Sequence, residues 1–191
     1  MKYSLKKNKF GFLQINPTPS SAELDKFYKK TFYTASNKNF NNSSLKEQLK
    51  EKNFYNYKWK KIFETFKSFN KNLSNKKVLD IGCGWGQCIL FLKSKGLDCY
   101  GLDPSDDAIE YCKSKKLKTE VSNLDKLDVF GNIKYDFVIM NNVLEHLRDP
   151  ISIIKKIKKI LKKNGILFIE VPNDFNAFQT TGRIANKIKK Q

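Results

Sequence analysis

The chain has 191 residues, of which 40% are apolar and 13% aromatic, enough for one domain with a sizeable core. No apolar stretch approaches the ~18 residues of a membrane-spanning helix, and the N-terminus lacks the apolar segment of a secretory signal. The net charge of +18 does not identify a nucleic-acid partner, because only two of the 37 basic residues are arginine. A lysine-coated, solvated surface is the favoured interpretation, and attraction to a polyanion is the alternative.

The four cysteines show neither C-x-x-C spacing nor a cluster of histidines around them. This pattern is typical of buried thiols in a reducing compartment, and it gives no indication of a metal site. We therefore expect a cytoplasmic protein without a membrane partner.

Residues 1–76 are predicted to form an N-terminal arm and a helical extension. Residues 1–20 are expected to be an irregular or weakly extended arm, and Ser20 or Ser21 can cap a helix over about 22–33. A polar, asparagine-rich loop or linker at 36–44 precedes a long helical pattern at 45–69. The aromatic residues of that helix indicate packing against a sheet rather than a cofactor site.

From Lys77 onward, strand and helix patterns alternate, which predicts parallel βαβ units with right-handed crossovers. The predicted strands lie near 77–82, 98–103, 118–122, 135–141 and 165–171. The predicted helices lie near 87–95, 105–116 and 150–163, the last with Asp149 as N-cap and Pro150 at its first position.

The most informative stretch, residues 78–86, reads Val-Leu-Asp-Ile-Gly-Cys-Gly-Trp-Gly. A short apolar strand ends here in a turn whose glycines permit positive φ and close approach of a ligand to the backbone. The following helix directs its free N–H groups to the same place. The third glycine comes one residue earlier than in the G-x-G-x-x-G pattern of dinucleotide sites. Asp103 ends the second strand, where an acidic side chain can accept hydrogen bonds from two ribose hydroxyls.

These residues resemble the first motif of the class I S-adenosylmethionine-dependent methyltransferases, and the resemblance continues through 135–150 and 164–172. It implies a three-layer Rossmann-like α/β sandwich with a mostly parallel sheet, and S-adenosyl-L-methionine as cofactor. Residues 77–172 would form the cofactor-binding core. The alternative is a glycine turn in a Rossmann-like domain that binds another ligand.

The resemblance also assigns the cofactor-binding residues, which are Asp80, Gly82, Cys83, Gly84, Gly86, Asp103, Pro104, Ser122, Asn123, Leu124 and Asn141. Asp80 is expected near the ammonium group, Asp103 at the ribose and Pro104 at the adenine ring. Residues 122–124 match the segment that reads the adenine edge, where the family often has Asp instead of Asn123. Asn141 ends the predicted fourth strand, Asn142 follows it, and both are expected to face the methyl group.

The Leu-Glu-His sequence that ends in His146 is similar to the small-molecule branch, which includes quinone and sugar methyltransferases. His146 is the only histidine and a candidate general base, because imidazole changes its charge near neutral pH. The alternative is that it only packs or caps the loop. Glu145 is a second candidate catalytic residue, as a substrate or metal ligand, although methyl transfer requires no metal.

The resemblance therefore implies methyl transfer to a small molecule, with a sugar or glycan precursor as the favoured acceptor. Residues 12–33 support this, because they are similar to the lead-in of methyltransferases from surface-polysaccharide and sugar-modification pathways. Two alternatives remain open: an RNA or protein acceptor, and a non-catalytic or truncated S-adenosylmethionine-binding module.

Domains of the resembled family normally add two further strands after the fifth. Only 20 residues follow Val171, and they indicate a polar helical tail over 173–191. We therefore predict a C-terminally short sheet in which strands six and seven are absent. The bare edge would be covered by this tail or by a second copy of the chain.

Overall fold

The computed structural model describes residues 4–27, 45–122 and 126–172. The strands in these ranges are β1 (Ser4–Lys7), β2 (Leu13–Asn16), β3 (Lys77–Ile81), β4 (Asp98–Asp103), β5 (Lys118–Val121), β6 (Tyr135–Asn141) and β7 (Leu161–Glu170). The α-helices are α1 (Ser21–Phe27), α2 (Leu45–Lys50), α3 (Lys52–Phe69), α4 (Gln87–Lys93), α5 (Asp106–Ser114) and α6 (Pro150–Ile160), with a short 3-10 helix at Leu144–His146.

The main sheet is parallel and, within the described residues, has five strands in the order β5-β4-β3-β6-β7. Successive strand residues pack on opposite faces: Val78 contacts one apolar cluster and Leu79 the other. Helices α3, α4 and α5 cover the first face, and α6 covers the second. This arrangement supports the three-layer, Rossmann-like α/β sandwich that the resemblance implies.

The prediction that strands six and seven are absent is wrong, because the described residues form seven strands. Within the arm predicted to be irregular or weakly extended, residues 4–16 form an antiparallel hairpin of β1 and β2, with Ser4 paired to Asn16 and Lys7 to Leu13. Asn8 and Gly11 close its turn, since the Gly11 N–H donates to the Asn8 carbonyl at 3.0 Å and Gly11 has φ +92°. As a result, β6 and β7 are the sixth and seventh strands in chain order.

Helix α1 begins with the cap that the sequence indicates. The Ser20 hydroxyl accepts the Glu23 N–H at 3.2 Å, and the Glu23 carboxylate accepts the Ser20 N–H at 2.9 Å. The single long helix predicted for 45–69 is divided at Glu51 into α2 and α3. On α3, the fully buried Phe66 stacks on Phe137 of β6 with ring centroids 4.0 Å apart, so its aromatic face does pack on the sheet.

Strand β7 begins earlier than predicted, at Leu161 instead of residue 165, and α6 correspondingly ends at Ile160. Leu161 pairs with Tyr135, whereas Ile166 pairs with Phe137, so β7 carries extra residues in a bulge. Asn164 adopts φ +63° within it. Residue 165, where the predicted strand began, therefore lies at this bulge and not at the start of the strand.

Several predictions lie outside the described residues: the linker at 36–44, the end of the first helix beyond Phe27, and the C-terminal tail at 173–191 with its cover over the sheet edge. None of the helices in the described part is long and apolar enough to cross a membrane.

Candidate functional site

The carboxyl ends of the five parallel strands meet at one edge of the sheet, and backbone hydrogen bonds tie them together. Gly82 and Cys83 donate to the Leu102 carbonyl at 2.7 and 3.0 Å, and Ser122 donates to the Asp103 carbonyl at 3.0 Å. The chain runs from β3 outward to β4 and β5, then returns to place β6 on the other side of β3. A crevice at such a reversal of strand order is the usual ligand site of an open α/β sheet.

The glycine loop, residues 82–86, connects β3 to α4 at this reversal point. Gly82, Gly84 and Gly86 have φ values of +75°, +49° and +70°. A Cβ on Gly82 would lie 2.3 Å from Val143 Cγ2, and one on Gly86 would lie 2.7 Å from Leu117 Cδ1. Both the backbone conformation and the surrounding packing therefore require glycine at these two positions.

Asp103 fixes the glycine loop to the end of β4. Its Oδ2 accepts the Gly84 N–H at 2.8 Å, and its Oδ1 accepts the Ser105 N–H at 2.9 Å. The carboxylate is 1% exposed, so in this structure it faces the protein's own N–H groups. The ribose role of Asp103 stays a prediction.

Two buried thiols, one in the glycine loop and one on α5, lie close to the Gly84 carbonyl. Cys112 Sγ donates to the Gly84 carbonyl at 3.4 Å, and Cys83 Sγ lies 3.8 Å from the same oxygen. The hydrogen bond with Cys112 and burial raise the pKa of the Cys83 thiol well above its ordinary value. Cys83 therefore remains a neutral packing group in the loop that was predicted to bind the cofactor.

Asp80 is the second buried carboxyl group of the site, at 4% exposure. Burial, followed by the negative charge of Asp103, raises the pKa of Asp80 to about 7, and a hydrogen bond with Cys88 opposes the rise. Two buried carboxyl groups, Asp80 and Asp103, therefore lie beside the glycine loop. Such a pair favours a ligand that brings positive charge.

The segment predicted to read the adenine edge is only partly described. The Ser122 hydroxyl donates to the Lys126 carbonyl at 2.9 Å. Asn123 and Leu124 lie outside the described residues. Pro104 is partly exposed between Asp103 and Ser105, at the end of β4. The adenine-binding roles of these residues stay predictions.

Asn141 ends β6 directly beside the glycine loop, because the preceding Met140 pairs with Ile81 of β3. Its Oδ1 atom is shielded from solvent and has no hydrogen-bond partner in the described part of the chain. An unsatisfied buried acceptor of this kind costs free energy unless a donor reaches it. The neighbouring Asn142 has φ +54° and donates its N–H to the Glu170 carbonyl at 2.8 Å.

The two candidate catalytic residues lie together in the 3-10 helix that follows β6. His146 Nε2 is 3.8 Å from Glu145 Oε1, and both side chains are partly exposed. Among the residues that the structure describes, no three or more His, Cys, Asp or Glu side chains gather as a metal site.

Sequence reasoning missed how α3 reaches the carboxyl edge of the sheet. Lys58 Nζ forms an ion pair with Glu170 Oε1 at 2.6 Å, at the end of β7. Next to it, the buried Trp59 leaves its Nε1–H without an acceptor in the described part of the chain. The helical periodicity indicated a buried face but carried no signal for the ion pair between Lys58 and Glu170, which are 112 positions apart in the sequence.

The comparisons with known proteins agree with this geometry. A family model described as a methyltransferase domain matches residues 51–185. The chain belongs to this methyltransferase family. The match covers the parallel sheet, the glycine loop and the helix α3, and it confirms the class that the first motif resembles.

Among the curated relatives of this chain is the ubiquinone biosynthesis O-methyltransferase of Pelagibacter ubique. It is 36% identical over 118 residues, which cover 59% of this chain and 49% of the relative. The tRNA U34 carboxymethyltransferase of Campylobacter jejuni is 29% identical over 126 residues, covering 61% of this chain and 43% of the relative. The chain thus spans about half the length of the curated relatives it matches.

Among solved structures, the plantazolicin methyltransferase BpumL in complex with SAH matches 78% of this chain and 57% of its own, with a TM-score of 0.58 and 18% identity. SAM-bound CalS10, an amino pentose methyltransferase from Micromonospora echinaspora, matches 65% of this chain and 56% of its own, with a TM-score of 0.55 and 13% identity. At these identities the likeness supports the fold alone.

Proposed function

We propose that the chain binds S-adenosyl-L-methionine at the glycine loop and transfers a methyl group to a small-molecule acceptor. The observation that carries this proposal is the loop itself, held at the reversal point of the sheet by the Asp103 carboxylate. Membership of the methyltransferase family supports it. Residues 77–172 form the proposed cofactor-binding core, with the preceding and following residues as extensions.

The residues around the loop fit this cofactor. Asp80 and Asp103 are buried carboxyl groups, and the Asn141 Oδ1 atom lacks a donor. A ligand with an ammonium group and a sulfonium offers positive charge to the carboxylates and an N–H donor to Asn141. Bound S-adenosyl-L-methionine supplies an electrophilic methyl group. The protein then has to hold the acceptor in line and exclude water.

His146 is the proposed general base for an acceptor hydroxyl. It lies in the segment that follows Asn141 and is partly exposed, so an acceptor can reach its ring. Glu145 Oε1, at 3.8 Å from His146 Nε2, would stabilise the imidazolium that forms when the proton is taken up. Neither residue is required to bind the cofactor under this assignment.

For the acceptor, we propose a small molecule with a free hydroxyl or amine, and a sugar or glycan precursor as its first class. The amino pentose methyltransferase CalS10 shares the fold, and the relatives from ubiquinone biosynthesis act in the synthesis of a small molecule. The relative named tRNA U34 carboxymethyltransferase keeps RNA as the second candidate acceptor.

Equilibrium binding tests the cofactor proposal directly. Isothermal titration of the purified chain with S-adenosylhomocysteine should give saturable binding, and titration with NAD should not. Gly84→Val puts a branched side chain into the loop and should abolish that binding. The control is Gly131→Val, where φ is also positive (+80°, compared with +49° at Gly84) and an added Cβ would have no atom of the described residues within 4 Å.

Equal loss of binding in both glycine variants would point to general strain rather than to a cofactor loop. Retained affinity in Gly84→Val would remove the loop from the site. Far-UV circular dichroism of each variant separates loss of binding from loss of fold. Methyl transfer from labelled S-adenosylmethionine to sugar, phenol and tRNA acceptors then distinguishes the acceptor classes.

A further inference from the structure

A second cavity, of about 500 Å³, lies between the β1–β2 hairpin and the start of α6. Its walls include Lys9, Phe10, Phe12 and Gln14 from the hairpin and Arg148 from the segment after the 3-10 helix. This volume is within the usual range for small-molecule sites. None of these residues belongs to the cofactor site proposed above.

Hydrogen bonds hold the hairpin wall of this cavity in place. The Asn8 N–H donates to the Phe12 carbonyl at 2.9 Å, and Asn8 Oδ1 accepts the Phe10 N–H at 2.9 Å. Gln14 Nε2 donates to the Arg148 carbonyl at 3.2 Å, which joins the hairpin to the opposite wall. The cavity is therefore bounded by a closed turn and a direct cross-link rather than by a loose arm.

The chemistry of the walls is cationic and aromatic. Neither Lys9 nor Arg148 forms an ion pair with a carboxylate of the described residues. Among the described residues of the wall, Asp149 is the one carboxylate, and it accepts the Ser152 N–H at 3.0 Å as the cap of α6. Lys9 Nζ lies 5.2 Å from the centroid of the Phe10 ring, and that ring is 58% exposed. A cation beside an open aromatic face, with Arg148 lining the same cavity, suits an anion attached to a ring.

The cavity is linked to the glycine loop through one short segment. Val143 packs on Gly82, the 3-10 helix with His146 comes next, and Arg148 follows two residues later. A molecule seated in the cavity would therefore occupy the far end of the segment that carries the candidate base. This position suits an acceptor better than a cofactor.

We propose that this cavity is the recognition site for the anionic part of the acceptor, a phosphate or a carboxylate attached to a ring. The assignment to the acceptor rests on the proposed methyltransferase function, whereas the anion site itself does not. Lys9 and Arg148 bind the anionic group, and Phe10 stacks on the ring. A phosphorylated sugar nucleotide and an aryl carboxylate are the two sources of this chemistry.

Titration calorimetry with defined probes tests the site. Uridine 5′-diphosphate represents the phosphate source, 4-hydroxybenzoate the carboxylate source, and uridine a ring without an anion. We expect at least one of the two anions to bind about tenfold or more tightly than uridine. The tighter of the two anions identifies the source of the negative charge.

Charge-matched variants separate the site from the general positive charge of the chain. Lys9→Gln with Arg148→Gln should weaken anion binding about tenfold, and Phe10→Ala should weaken it about threefold or more. Lys6→Gln with Lys158→Gln removes the same charge outside the cavity and should change it less than about twofold. Leu5, 56% exposed on the same hairpin, provides the apolar control as Leu5→Ala.

Equal weakening in the two charge pairs, binding of uridine as tight as that of the anions, or no binding of either anion at millimolar concentration would overturn the proposal. S-adenosylhomocysteine affinity is measured in every variant and should stay unchanged. If the wild-type chain fails to bind S-adenosylhomocysteine, the proposed function is wrong. The comparison of charge pairs still decides whether the cavity binds anions.

Discussion

The raised pKa of Asp80 has a measurable consequence for the stability of the folded chain. Folding moves the pKa of this carboxyl group from its ordinary value of 3.8 to about 7, chiefly because the group is buried. Between these pH values the folded state holds a proton that the unfolded state has released. The free energy of unfolding therefore falls as the pH rises from about 4 to about 7.

The magnitude follows from the distance between the two pKa values. At about 1.4 kcal/mol per pH unit, the full cost of ionising Asp80 in the fold is about 4 kcal/mol, and it is reached above pH 7. Asp80→Asn removes the titrating group and nearly keeps its shape. We expect the variant to gain stability relative to wild type as the pH rises from 5 to 8, by about 3 kcal/mol.

Urea denaturation of both proteins at intervals from pH 5 to pH 8 measures this gain. Asp136→Asn is the control, and its difference from wild type should stay constant from pH 5 to pH 8, because the pKa of Asp136 is no higher than its ordinary value of 3.8 in either state. Burial alone would raise the pKa of Asp136, but hydrogen bonds with Lys162, the Lys77 N–H and Lys76 hold it below its ordinary value. Ionised Asp136 therefore stabilises the fold at pH values above its ordinary pKa of 3.8. This contribution is lost as the pH falls through its lowered pKa.

A constant difference in unfolding free energy between Asp80→Asn and wild type across pH 5 to 8 would refute the reasoning. It would mean that Asp80 has the same pKa in the folded and the unfolded state. The carboxyl group would then not be held in a low-dielectric environment beside a second acid. The electrostatic argument for a cationic cofactor would lose one of its two carboxylates.

Two further predictions concern the core and the candidate base. Phe66→Ala should lower the free energy of unfolding by about 3–5 kcal/mol, because the fully buried ring stacks on Phe137 of β6. Phe69 lies on the same helix and is 67% exposed, so Phe69→Ala should change the free energy of unfolding by less than about 0.5 kcal/mol in the same urea assay. His146→Ala should reduce turnover about 100-fold or more with unchanged affinity for S-adenosylhomocysteine, and a loss below about threefold would return His146 to a packing role.

The parallel core was predictable because its signals are local. β3, β4 and β6 are short apolar runs, each followed by polar or glycine residues, and the structure places them at the predicted positions. The caps Ser20 and Asp149 were also readable, since each accepts an N–H three residues ahead in the chain. Signals of this kind depend on neighbouring residues alone.

The hairpin was not predictable in this way. Leu5, Leu13 and Ile15 are about half exposed in it, so they form no buried stripe that would mark a strand. The contact that fixes it, between Gln14 and Arg148, spans 134 positions of sequence. Likewise, the sequence pointed to Asp103 as a ligand residue but gave no sign that its carboxylate also binds the Gly84 N–H.

The segment from Val143 to Asp149 connects the glycine loop to the wall of the second cavity. At its first residue, Val143 fills the space that a Cβ on Gly82 would need, so its position is tied to the glycine loop. Near its last residue, Arg148 is held by the hairpin through Gln14. Because the segment is short and fixed at both ends, His146 has little freedom to move relative to either. The proposed base therefore lies between the proposed cofactor and acceptor sites, an arrangement that suits in-line transfer, in which positioning supplies most of the rate.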